Sequence, residues 1–119
     1  GSEMCIRDRL KTMIAMDDGA SYLGECALVP QHSPIAESGI LFYNTLFDEN
    51  AACHLALGMG FADTIENFHE KTLAECRALG VNDSMIHEDF MIGSQDMNID
   101  AVCADGKTVP IFRDGNWAF

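Results

Sequence analysis

The segment His87-Glu88-Asp89 concentrates groups able to bind a metal ion. On a strand, alternation puts His87 and Asp89 on one face with roughly 6 to 7 Å between their Cα atoms, so a single ion could be reached by both. A second pair is Glu49 and His54, at the point where a hydrophobic run gives way to a stretch rich in Ala, Leu and Met. The third candidate is Glu25, the one ionisable group in the otherwise apolar segment Ser21 to Val29. Imidazole nitrogen together with carboxylate oxygens is a donor set for zinc, cobalt or manganese, and a shared carboxylate can bridge two such ions. Each residue also has an ordinary use: a histidine as a satisfied polar group, an acidic residue before a helix as a partner of its dipole. Glu25 is the hardest to explain that way, because an unpaired carboxylate in a buried strand is costly.

The elements that must position these groups follow from periodicity. Leu10, Met13, Ile14 and Met16 have helical spacing, and Asp17-Asp18-Gly19-Ala20 stops the helix. Ser21–Val29 and Ile40–Phe47 read as strands separated by a loop containing Pro30 and Pro34. Asp48-Glu49-Asn50 offers helix caps, and the composition of Ala51 to about Asp63 predicts a helix with Gly58 and Gly60 as weak points, placing His54 in its first turn. A further helix is predicted from about Asn67 to Leu79, ended by Gly80. Ser84–Ile92 alternates as a strand, and Ile99–Cys103 and Thr108–Phe112 flank the hairpin signal Asp105-Gly106. Mixed strands and helices make the class α+β or α/β.

Seven basic and nineteen acidic side chains give the 119-residue chain a formal charge of −12, with 48% hydrophobic residues. A length of this order usually makes one domain, and no interior linker divides it. Such a charge, with no basic cluster, disfavours nucleic acid. No apolar run approaches the ~20 residues needed to span a bilayer, so no membrane partner is expected. Five scattered cysteines, none in a C-x-x-C pair, suit a reducing cytoplasm and are read as core filler. Gly1-Ser2 looks like a cleavage scar and Glu3 to Arg9 fits no element. Residues 1–9 are therefore read as a non-native leader and 10–119 as the domain. An acidic calcium module built on Asp48-Glu49-Asn50 and Asp96 to Asp100 lacks the D-x-[DN]-x-[DN]-G loop.

Glu25 within LGECALVP, the runs NTLFDENAACHLALG (Asn44 to Gly58) and NDSMIHEDFMIGS (Asn82 to Ser94), and the closing MNIDAVCADGKTVPIFRDGNWA together resemble the C-terminal part of the thermophilic metallo-aminopeptidases, the aminopeptidase T and S type. The similarity runs from about Leu10 to Phe119 in one order. It implies an α+β domain with a mixed sheet, flanking helices and a C-terminal hairpin. The activity implied is that of a cytoplasmic enzyme that uses two divalent ions (Zn, Co, Mn or Mg) to hydrolyse N-terminal residues from peptides; separately, surface that an upstream domain of the family would cover is expected to drive self-association into a homo-oligomer. Position by position, Glu25, His54, His87 and Asp89 match metal-binding residues of the family, and Glu49 matches the glutamate of its DENA run. Two departures stand out. Phe61 occupies the position of a family tyrosine, seven residues beyond His54 and so on the same face of the predicted helix, and it leaves the catalytic assignment open. A glutamate that the family draws from upstream sequence has no counterpart in this chain. A truncated, impaired aminopeptidase is the first expectation, and a non-catalytic folding or oligomerisation module derived from the family is the second.

Overall fold

The computed structural model describes residues 2–41 and 49–119, with Ser2 and Glu49 described by their backbone alone. Two compact units divide the chain: Gly1–Cys26 with Leu55–Phe90, and Ala27–His54 with Met91–Phe119. The architecture is α+β, built from short helices and two three-stranded sheets.

In the first unit, helix α1 spans Ser2–Ile14, so it begins inside the stretch read as a leader and ends where the sequence predicts. Strand β1 (Leu23–Ala27), strand β2 (His54–Gly58) and strand β3 (His87–Met91) make a sheet in the order β1-β2-β3. The expected helix over Ala51–Asp63 is absent. Glu49–Ala51 is a single 3-10 turn, and His54–Gly58 is the middle strand. Packing overrides the helical propensity of Ala and Leu here: His54, Ala56 and Gly58 are buried on one side of the strand while Leu55 and Leu57 are half-buried on the other. Gly58 adopts φ 94°, and a Cβ there would overlap the Ile86 carbonyl oxygen, so the backbones of β2 and of the approach to β3 meet at a position only glycine fits. His54 therefore opens a strand.

The helix expected over Asn67–Leu79 is also shorter. Phe68–Glu70 is a 3-10 turn, and helix α3 covers Leu73–Ala78. Its start is set by a reciprocal cap: Thr72 Oγ1 accepts from the Glu75 amide at 3.2 Å, and Glu75 Oε2 accepts from the Thr72 amide at 3.1 Å. The approach to β3 is tied to the turn after α1. Asp17 accepts the Met85 amide at 2.7 Å and the Ser84 hydroxyl at 2.9 Å, and Asn82 Nδ2 donates to the carbonyls of Gly19 (2.9 Å) and Gly58 (2.6 Å).

In the second unit, helix α2 (Pro34–Ser38) starts at Ser33, whose hydroxyl accepts the Ala36 amide, and stops at Gly39 with φ 62°. Strands β4 (Ile99–Val102), β5 (Thr108–Arg113) and β6 (Asn116–Trp117) form an antiparallel sheet, β4 and β5 being joined through Asp105-Gly106 as the sequence predicts. Phe112 is wholly buried against Trp117, with ring centroids 4.7 Å apart. Cys53 exchanges hydrogen bonds with Val29, and its carbonyl accepts the amides of Ile92 and Gly93. The predicted strand Ile40–Phe47 falls for the most part outside the described residues; Ile40 and Leu41 have no regular structure. All five cysteines are free. Cys53 and Cys76 are buried as expected of core filler, whereas Cys5, Cys26 and Cys103 are exposed.

The Asp17 carboxyl is held below its ordinary value of 3.8, chiefly by the Met85 amide and, against some desolvation, by the Ser84 hydroxyl. A depressed folded-state pKa means the carboxylate stabilises the fold above the ordinary value and that this contribution is lost as pH falls through the folded-state value. Asp17→Ala is thus expected to lower the thermal midpoint at neutral pH, and calorimetry across pH should show the gap to the wild type closing in acid below 3.8. A gap that stays undiminished in acid contradicts the assignment.

Candidate metal centre

Each strand of the β1-β2-β3 sheet contributes one group to a single cluster. Glu25 comes from β1, His54 from the first position of β2 and Asp89 from β3, and one potential ligand atom from each lies within 4.8 Å of the other two. His54 is buried, with 2% of its surface exposed, while Glu25 and Asp89 are half-buried. A strand places such groups more rigidly than a loop does, and β2 is the middle strand of its sheet.

Backbone carbonyls fix the imidazoles. His54 Nδ1 lies 3.0 Å from the Ala52 carbonyl oxygen, and His87 Nδ1 lies 2.8 Å from that of Met59. A carbonyl only accepts, so Nδ1 carries the proton in both rings, and a neutral ring then keeps its lone pair on Nε2. Ring nitrogens held in this way are the usual arrangement around metal-binding histidines.

His87 stands next to the cluster of three. Its Nε2 is 3.3 Å from Asp89 Oδ1, and both side chains are largely shielded from solvent. Asp89 Oδ1 nevertheless has no hydrogen-bond partner among the described residues. A buried carboxylate oxygen without a hydrogen bond, beside an imidazole nitrogen and within reach of a second carboxylate, is a poor arrangement for the protein alone and a good one for a cation. The donor set is one nitrogen and two carboxylates, with His87 adjoining through Asp89, which suits a borderline or hard divalent ion such as zinc, cobalt, manganese or magnesium.

The structure thus brings Glu25, His54 and Asp89 together and sets His87 against Asp89. The side chain of Glu49 lies outside the described residues. What the sequence could not signal is the backbone contribution: the carbonyls of Ala52 and Met59 leave no trace in side-chain chemistry. Phe61 also sits differently from the helical expectation. No helix carries it to the face of His54; the loop after β2 brings its ring against His87 instead, with centroids 5.1 Å apart.

Residues 7–117 match the family model described as thermophilic metalloprotease (M29). Among curated relatives, aminopeptidase 2 of Geobacillus stearothermophilus is 59% identical over 112 residues, covering 94% of this chain and 27% of that protein. Aminopeptidase T of Thermus aquaticus is 46% identical over 108 residues, covering 91% and 26%. The solved structure of wild-type AmpT from Thermus thermophilus superposes with a TM-score of 0.76 at 41% identity, over 94% of this chain and 27% of that one. The chain therefore spans about a quarter of the length of these relatives.

Removal of a ligand from the cluster should weaken divalent-ion binding. His54→Ala and Asp89→Ala are each expected to reduce cobalt(II) affinity by at least about tenfold, whereas Glu37→Ala, which removes an exposed carboxylate of α2 paired with His32, leaves it unchanged. A competition titration with a chromophoric chelator reads this directly, and equal affinity in wild type and both cluster variants contradicts the ligand assignment.

Proposed function

We propose, for a chain that belongs to the thermophilic metalloprotease family M29, that it carries part of the divalent-metal centre of an aminopeptidase, with peptides bearing a free N-terminus as substrate. The family is one of metallopeptidases, and its curated relatives of this chain are named aminopeptidases. The observation that carries the reading is the convergence of Glu25, His54 and Asp89. His87 is the fourth ligand and Glu49 a further site residue, in a centre of two ions drawn from zinc, cobalt, manganese and magnesium.

A divalent ion of this kind, when bound, supplies Lewis acidity to the peptide bond and a more acidic water. The protein's own residues do the rest. Glu25 and Asp89 provide the negative charge that retains a cation and attracts the α-ammonium group of a peptide, which favours cleavage at the N-terminus over cleavage within the chain. His54 and His87 keep Nε2 as the nitrogen to offer an ion, because the carbonyls of Ala52 and Met59 hold Nδ1. No residue here is assigned as general base. Phe61 has no hydroxyl to donate to a developing oxyanion, so the chain lacks one source of transition-state stabilisation.

A second reading, that of a non-catalytic folding or oligomerisation module derived from the family, draws support from Phe61 and from exposed apolar side chains such as Val102, Trp117 and Phe119. Those side chains also favour self-association. Five unpaired thiols favour the reducing cytoplasm. No helix among the described residues is long and apolar enough to cross a membrane.

One sample tests these statements together. Its mass is read by light scattering, its metal content by elemental analysis after dialysis against zinc or cobalt, and its hydrolysis of a leucine chromogenic substrate with and without chelator. The reading predicts a self-associated chain that retains a chelator-removable ion and turns over little or no substrate. A folded chain that takes up no ion supports the module instead, a monomer contradicts self-association, and robust chelator-sensitive turnover contradicts the view that this chain is catalytically impaired.

A further inference from the structure

The segment that follows β2 does more than leave the sheet. Gly58, Met59, Gly60 and Phe61 are bound at successive positions to the stretch that leads into β3 and to β3 itself. The Met59 amide donates to the Ile86 carbonyl at 2.7 Å, the Gly60 amide donates to the Asn82 carbonyl at 2.9 Å, and Asn82 Nδ2 returns a bond to the Gly58 carbonyl at 2.6 Å. Two further contacts converge on one side chain. The Met59 carbonyl accepts from His87 Nδ1 at 2.8 Å, and the Phe61 ring lies against the imidazole with centroids 5.1 Å apart and planes inclined by 55°.

A single hydrogen bond leaves an imidazole free to swing about the N–H···O axis, and its second nitrogen then sweeps an arc. An aromatic ring in contact with the imidazole restricts that freedom. From the pairing of these two restraints we propose that Phe61 is a positioning residue for His87: with the Met59 carbonyl it forms a two-point clamp that fixes the Nδ1–H tautomer and aims Nε2 at Asp89. Phe61 is 46% exposed, far more than core packing requires, yet its ring contact is made to a histidine whose Nε2 lies 3.3 Å from a buried carboxylate oxygen. The glycines on either side of Met59 let the segment approach closely. At Gly58 a Cβ would overlap the Ile86 carbonyl, and at Gly60 it would come within 2.9 Å of the Gly24 carbonyl oxygen. The clamp is thus carried by backbone that has little room to relax, and the aromatic ring is its exchangeable part.

The inference rests on the metal-centre reading only for its effect on metal affinity; the ring geometry of His87 is independent of any ion. Two readouts separate them. Long-range nitrogen–proton NMR of the metal-free chain reports which ring nitrogen of His87 carries the proton. Cobalt(II) titration reports affinity. The variants are Phe61→Leu and Phe61→Met, which remove the ring, and Phe61→Tyr, which keeps it, with thermal melts confirming that each is folded.

Wild type and Phe61→Tyr are expected to show a single Nδ1–H tautomer. Phe61→Leu and Phe61→Met should show mixed tautomers and a loss of roughly tenfold in cobalt affinity, the scale seen when a partner that orients a metal-binding histidine is removed, with Phe61→Tyr within about twofold of wild type. An unchanged tautomer in both ring-less variants overturns the clamp. If wild type binds no cobalt while the tautomer still responds to loss of the ring, the metal-centre reading fails and the clamp stands.

Discussion

Two carboxylates and an imidazole drawn to within 4.8 Å of one another on the strands of one sheet set the terms for everything around them. Carboxylates brought this close repel when both are ionised, and partial burial denies them the water that would relieve it. That repulsion is the opposite of a stabilising core contact. Within reach of a divalent cation its sign reverses, since both charges then face a common positive centre. The same logic accounts for the Asp89 oxygen that lacks a hydrogen bond among the described residues, and it gives the excess of acidic side chains a local meaning.

The surrounding fold reads as the means of holding that unfavourable group in place. Strand β2 brings His54 into the middle of the sheet, and Gly58 lets the approach to β3 come close enough to share the space. Asp17 and Asn82, from different parts of the chain, fasten the turn after α1, the end of β2 and the loop before β3 to one another. Backbone carbonyls of Ala52 and Met59 then orient the two imidazoles. Side-chain chemistry sits on a scaffold of main-chain hydrogen bonds. Membership of a metallopeptidase family agrees with a sheet organised in this way.

Strands announced themselves well in the sequence. Alternation located β1 and β3, and Asp105-Gly106 located the hairpin of β4 and β5, because each signal is short-range and survives whatever packs around it. The middle strand was misread for a physical reason. A strand whose second face is apolar and half-buried loses its polar alternation, and Ala51 to Gly58 is then indistinguishable in composition from a helix; only the glycines hinted otherwise. Thr72 and Glu75, in turn, form a cap visible in the sequence that marks the true start of α3. Of the cluster, His87 and Asp89 could be paired from their spacing alone, but their meeting with Glu25 and His54 depends on strand order, which no local pattern encodes. The contact between Phe61 and His87 depends on a loop path and was equally hidden.

The central claim concerns where a cation goes, and anomalous diffraction at the cobalt absorption edge from crystals soaked in cobalt(II) answers it most directly. The account predicts an anomalous peak within bonding distance of Glu25, His54 and Asp89. A well-ordered crystal with those three side chains in place and no peak among them, or with cobalt bound only elsewhere on the acidic surface, would contradict it.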